Sequence, residues 1–153
     1  MPFLDGLMPL CSNDGMRPGR VLALDFGSKN IGLAASDELG VVVRPLPSIP
    51  NSSRRDLLRR LRATIQENAV DALVIGLPLN MDGSSGASVQ AVRRMIDLLR
   101  KKLRLPLFEV DERLSTVEAI EVWKTMNSRR QRRYRTVDSL AAAIILERFL
   151  EEA

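Results

Sequence analysis

The chain has 153 residues, no His and a single Cys. That length suits one domain with a sizeable core. The missing His excludes Ser-His-Asp and Cys-His nucleophiles and His-ligated metals, and one Cys excludes an intramolecular disulfide, a zinc knuckle or an iron–sulfur site within the chain.

Any catalysis therefore falls to carboxylates, hydroxyls, Lys or Arg, and with 19 acidic residues oxygen-ligated Mg²⁺ or Mn²⁺ is the natural metal. Lys and Arg total 23, for a net charge of +4. Residues 124–135 hold Lys124, Arg129, Arg130, Arg132, Arg133 and Arg135 and no acid, so this segment carries +6 and the rest of the chain −2. A concentrated basic segment suits a polyanionic partner, although a solvated charged loop has the same composition. No apolar run approaches the roughly 20 residues of a membrane span. Residues 1–19 contain Asp5 and Asp14 and no early Lys or Arg, a poor signal peptide, and with Cys11 unpaired the expected compartment is the cytoplasm. They read as a loose tail in which Met16 is an alternative start, with the folded domain expected over 20–153.

From Gly19 onward the pattern is regular. Three short apolar runs, 21–26, 31–36 and 41–43, are separated by turn-like groups, which predicts an antiparallel meander ended by Pro45, Pro47 and Pro50. Ser53 is placed to cap a helix with Leu57, Leu58, Leu61 and Ile65 on its buried stripe. Residues 72–76 form a fully apolar run typical of a buried parallel strand. The loop 77–83 leads to a helix with Val89, Val92, Ile96, Leu99 and Leu103 on one side. A fifth strand, 107–110, runs into Asp111-Glu112-Arg113. Ser115 and Glu118 form a capping box for a third helix. After the Arg-rich segment, a last helix starts near Thr136. The expected architecture is α/β: a mixed five-stranded sheet, strands 1–3 antiparallel and strands 4 and 5 parallel to strand 1, flanked by helices.

Asp25 stands out in the first strand, on the face of Val21 and Ala23, because a lone carboxylate is costly in an apolar run. A turn-capping role is the alternative. Asp111 and Glu112 end strand five. If strands one, four and five are parallel neighbours, their carboxyl ends share the edge where open α/β sheets bind ligands. Asp138, in the first turn of the last helix, either complements the helix dipole or joins this cluster. Acids from three segments brought together suit divalent metals, and two metals about 3.5–4 Å apart can activate water and stabilise the leaving oxygen of a phosphodiester. Ser28 and Lys29 lie where a phosphate could be met, or simply form a hairpin turn.

Four segments, Asp25–Ala34 with Ser36-Asp37, Gly76–Ser84, Asp111–Thr116 and Val137–Ala142, resemble in order the motifs of the YqgF, or RuvX-type, family. The resemblance spans residues 20–150. It implies an RNase H-like fold and a bacterial cytoplasmic nuclease, hydrolysing phosphodiester bonds in 5′-end maturation of pre-16S ribosomal RNA. Members have also been called Holliday junction resolvases, by similarity to RuvC-type enzymes. The family's acidic sites fall on Asp25, the Asp111–Glu112 pair and Asp138. Asp25, Glu112 and Asp138 are the expected ligands of Mg²⁺ or Mn²⁺, with Asp111 a further catalytic candidate, in an endonuclease of two-metal type. Lys29, Arg113, Arg129, Arg130, Arg132, Arg133 and Arg135 are the expected nucleic-acid contacts, to structured RNA or branched DNA, in a monomer or homodimer. Asn30 stands where a basic residue is more usual, and Ser115 where Thr is. The first motif also resembles the phosphate loop of actin-like kinases and chaperone ATPases, which need two such domains. A non-catalytic RNA-binding factor for ribosome assembly or transcription is the other reading.

Overall fold

The computed structural model describes residues 19–27, 29–77, 87–111 and 115–152, the side chains of 87, 88 and 115–118 excepted. In chain order the elements are β1 (Val21–Phe26), β2 (Asn30–Ser36), β3 (Val43–Pro50), α1 (Arg54–Glu67), β4 (Ala72–Leu77), α2 (Ala87–Leu103), β5 (Leu107–Asp111), α3 (Ser115–Thr125), α4 (Ser128–Tyr134) and α5 (Val137–Glu152). The five strands form one sheet in the order β3-β2-β1-β4-β5. β1–β2 and β2–β3 are antiparallel, whereas β1–β4 and β4–β5 are parallel. This is the expected mixed sheet.

Strand alternation divides the core in two. Leu22, Leu24, Leu33, Leu73, Ile75 and Leu107 face Leu57 and Leu61 of α1 and Val92, Ile96 and Leu99 of α2. On the opposite face Val21, Ala23, Ala34, Ala72, Val74 and Phe108 meet Ala142, Ile145, Leu146 and Phe149 of α5. The small side chains there let α5 lie close against the sheet. Farther out the Phe108 and Phe149 rings, 5.2 Å apart between centroids, fill the space. The cap expected at α1 is present, with Ser53 Oγ accepting from the Asp56 N–H at 3.1 Å. At the other end of β2, buried Ser36 accepts the Val21 N–H at 2.9 Å and closes the start of β1.

Two expected elements differ. The third strand does not consist of residues 41–43 ended by prolines, but runs from Val43 to Pro50 and contains Pro45, Pro47 and Pro50. β3 is an edge strand, so only one side of its backbone is paired and a missing N–H is tolerated. A register shift opposite Gly32, between the Ile31 and Leu33 pairs, accommodates the Pro47 region. Val41 and Val42 are 76% and 58% exposed, because Asp37 holds their N–H groups in a turn at 2.7 and 3.0 Å. The second difference is the Arg-rich segment, which is no loop. Residues 128–134 form α4, capped by Asn127, whose side chain accepts from the Arg130 N–H at 3.0 Å. Tyr134 packs with Met126, Leu140 and Trp123, and Gln131 donates to the Trp123 carbonyl at 3.0 Å. A polar-looking sequence is thus tied down by one aromatic, one amide and a cap.

Candidate functional site

Asp25 is next to last in β1, paired with Gly32 of β2, and only 5% exposed. Among the described residues no hydrogen-bond donor or cation contacts its carboxylate. The neighbour it does have is another acid. Asp138, half-buried in the first turn of α5, is held above the usual carboxylate range, first by burial and then by the charge of Asp25. A helix N-terminus alone would move it the other way. The helix-capping reading of Asp138 therefore does not account for its environment.

Glycines bring the two acids together. A Cβ on Gly32 would overlap the backbone carbonyl of Asp138, so α5 can start where it does only because β2 has no side chain there. A Cβ on Gly27 would stand 3.9 Å from Asp138 Oδ1. The Asp138 carboxylate therefore lies over the end of β1. The β1–β2 turn is closed by the Gly27 N–H on the Asn30 carbonyl at 2.9 Å. Asn51, beyond β3, braces it by donating its side-chain amide to the Gly27 carbonyl at 2.7 Å and its backbone N–H to that of Lys29 at 2.8 Å. Lys29 itself is exposed. Neither Gly32 nor Asn51 is singled out by sequence reasoning. For Gly32 the signal was its place opposite Asp25 in the hairpin; Asn51 offered none.

Asp111 ends β5, paired with Leu77, and is exposed. Strand alternation puts it with Leu107 and Glu109, and Glu109 meets Arg93 and Arg100 of α2 at 3.4 Å each. Phe108 and Val110 belong to the α5 side. By alternation Asp111 belongs to the series of Leu107 and Glu109, whereas Asp25 belongs to that of Val21 and Ala23 on the α5 side. Glu112, Arg113 and Ser28 lie outside the described residues. Arg129, Arg130, Arg132 and Arg133 are all exposed on α4. Arg135 follows in a γ-turn, with φ +70° and the Thr136 N–H bonded to the Tyr134 carbonyl at 2.8 Å. Two residues separate it from Asp138, so Arg135 lies within about 11 Å of Asp138 along the chain.

Among the described residues no three potential ligands gather in one place. What the structure brings together is a pair, Asp25 and Asp138, at the carboxyl end of the central strand. The pair fits a divalent cation by its donors, which are carboxylate oxygens without thiol or imidazole, and by the burial of Asp25 without a partner among the described residues. It follows that Asp138→Asn should raise thermal stability in metal-free buffer at pH 7. The sign is set by the raised value: the unfavourable charge is fully present above the folded pKa and vanishes as pH falls through that value towards the unfolded one. Melting curves in EDTA at stepwise lower pH should show the advantage of the variant shrinking to nothing. An unchanged or lowered melting temperature at pH 7 would contradict this electrostatic picture.

A family model described as RuvX, Holliday junction resolvase, matches residues 19–152. A protein of Roseiflexus sp. is 40% identical over 134 residues, covering 88% of this chain and 95% of its own length. One of Geobacillus kaustophilus is 41% identical over 134 residues, covering 86% and 97%. Both are provisionally named pre-16S rRNA nuclease. Among solved structures, the fowlpox virus Holliday junction resolvase superposes with a TM-score of 0.54 at 13% identity, over 87% of this chain and 97% of that one. RuvC of T. thermophilus, in complex with a Holliday junction substrate, gives 0.51 at 12% identity, over 88% and 94%. At such identities the likeness is one of fold.

Proposed function

The chain belongs to the RuvX family, and from that premise we propose that it is a metal-dependent nuclease that trims the 5′ end of pre-16S ribosomal RNA. The observation that carries the reading is the buried carboxylate of Asp25, without a partner among the described residues, beside Asp138. The names of relatives about 40% identical over nearly their whole length support the choice of substrate. Asp25 and Asp138 would hold Mg²⁺ or Mn²⁺, with Glu112 as the third ligand, in an endonuclease of two-metal type acting in the cytoplasm. A bound divalent ion supplies a water of lowered pKa and stabilises the charge that develops on the phosphate. The protein contributes placement: Asp25 is fixed by the sheet, and Asp138 by the seat of α5 on Gly32. No described helix is long and apolar enough to cross a membrane.

The description of the family model favours a second reading, in which a four-way DNA junction is cut. The deciding experiment incubates the protein and Mn²⁺ or Mg²⁺ with a pre-16S 5′-leader RNA and with a four-way DNA junction, in parallel. Cleavage of the leader, absent in EDTA, is the expected result. Cleavage of the junction alone would establish the second reading. Tight RNA binding without cleavage would make the protein a binding factor for ribosome assembly.

The exposed arginines of α4, with Lys29, Arg113 and Arg135, are the proposed backbone contacts. Replacing Arg129, Arg130, Arg132 and Arg133 by Ser should weaken binding to all sequences alike, since phosphate contacts carry no sequence information. On duplex ligands the log–log salt slope should flatten by roughly 3–4 units if all four meet phosphates, at about 0.9 each. An unchanged slope would leave α4 as a solvated surface.

A further inference from the structure

The first turn of α5 is tethered to the edge strand by hydroxyls. Ser139 is fully buried, and its Oγ donates to the Leu46 carbonyl of β3 at 2.7 Å. That bond uses its one proton, so towards its other neighbours Ser139 can only accept. Thr136 Oγ1 accordingly donates to Ser139 Oγ at 3.2 Å, and accepts the Ser139 N–H at 3.0 Å. Ser48 Oγ, 3.0 Å from Thr136 Oγ1 and 3.3 Å from Ser139 Oγ, is left as the donor at the head of the chain. Two links of the chain have a direction, Thr136 to Ser139 and Ser139 to the Leu46 carbonyl, and Ser48 joins it at its head.

A helix cap needs only Thr136. The bonds to Ser48 and Leu46 do something more, because they tie the helix to another element. Side-chain interlocking with the sheet is weak here: the start of α5 offers Ala142 and Ala143, and the sheet offers Ala23 and Ala34. Apolar packing of such small groups sets the distance of a helix from a sheet better than its rotation or its sliding. The hydroxyl chain fixes both, and Asp138 lies between Thr136 and Ser139, directly before Ser139. Leu46 pairs with Leu33, the neighbour of Gly32, so the tether and the seat of the Asp138 backbone are adjacent.

We propose that Ser139 is a positioning residue, which through its bond to the Leu46 carbonyl, with Thr136 and Ser48, holds the Asp138 carboxylate beside Asp25. The inference rests on the reading of these two acids as a divalent-ion site. It is tested on the full chain with Ser139→Ala, Thr136→Val and the conservative Thr136→Ser, by Mn²⁺ calorimetry, melting curves and steady-state cleavage of leader RNA. Ser139→Ala and Thr136→Val should each weaken Mn²⁺ binding about tenfold and lower kcat with the KM for RNA nearly unchanged, and Thr136→Ser should restore both. If Ser139→Ala does not fold, the Thr136 pair decides. Lower melting temperatures with wild-type Mn²⁺ affinity and kcat would reduce the hydroxyl chain to a structural tie and overturn the proposal. Wild-type protein that binds no Mn²⁺ would overturn the ion-site reading itself, and the proposal with it.

Discussion

Asp25→Asn should abolish metal-dependent cleavage while leaving the fold intact. Asn is nearly isosteric with Asp, and the site is 5% exposed, so no cavity opens and no strand contact is lost. What disappears is one charge of a facing pair. Without metal, that loss is a gain: removing the Asp25 charge relieves the repulsion on Asp138 and lets its carboxyl titrate closer to the usual range. The metal-free melting temperature of the variant should therefore equal or exceed that of the wild type. With saturating Mn²⁺ the order should reverse, because only the wild type gains the free energy of binding an ion to the native state. Cleavage by a folded Asp25→Asn protein at the wild-type rate would remove Asp25 from the active site.

The oddity of Asp25 was legible from the local pattern, since its neighbours in β1 are apolar and its alternation partners, Val21 and Ala23, are core residues. The parallel placement of β1, β4 and β5 was legible from the apolar run at 72–76 and the helical periods on either side. The extent of β3 was not, because a proline in a strand reads as a stop unless the strand is known to lie at an edge, and that is a property of the whole sheet. The same holds for α4. Its seven residues bury no side chain; it is held by the Asn127 cap and by Gln131 and Tyr134, and the partners of these last two lie on neighbouring elements. Gly32 gave a weaker signal, since its purpose becomes plain only when α5 is seen lying across it. Reading residue by residue recovers what each strand buries, but it does not recover what a second element needs from it.

Glu112→Gln should remove activity, whereas Asp111→Asn should only reduce it. Sequence parity left the two undecided, because chain direction can break where a strand ends. The observed pairing of Asp111 with Leu77 keeps Asp111 within the ladder, so alternation applies up to that residue. It belongs with Leu107 and Glu109, and Glu109 meets arginines of α2 on the face opposite Asp25. Phe108 and Val110 set the other parity, shared with α5; Glu112 lies outside the described residues, and the prediction is that it continues that series. Distance favours Glu112 as well. β4 separates β1 from β5, which sets the two strands about 9–10 Å apart. Metal–oxygen bonds of about 2.0–2.1 Å for Mg²⁺ bridge such a gap more easily from the longer Glu than from Asp. Rates measured for both folded variants at saturating metal decide the matter. Loss of activity in Asp111→Asn with activity retained in Glu112→Gln would mean that the backbone turns at the end of β5, and would place Asp111 with Asp25 and Asp138.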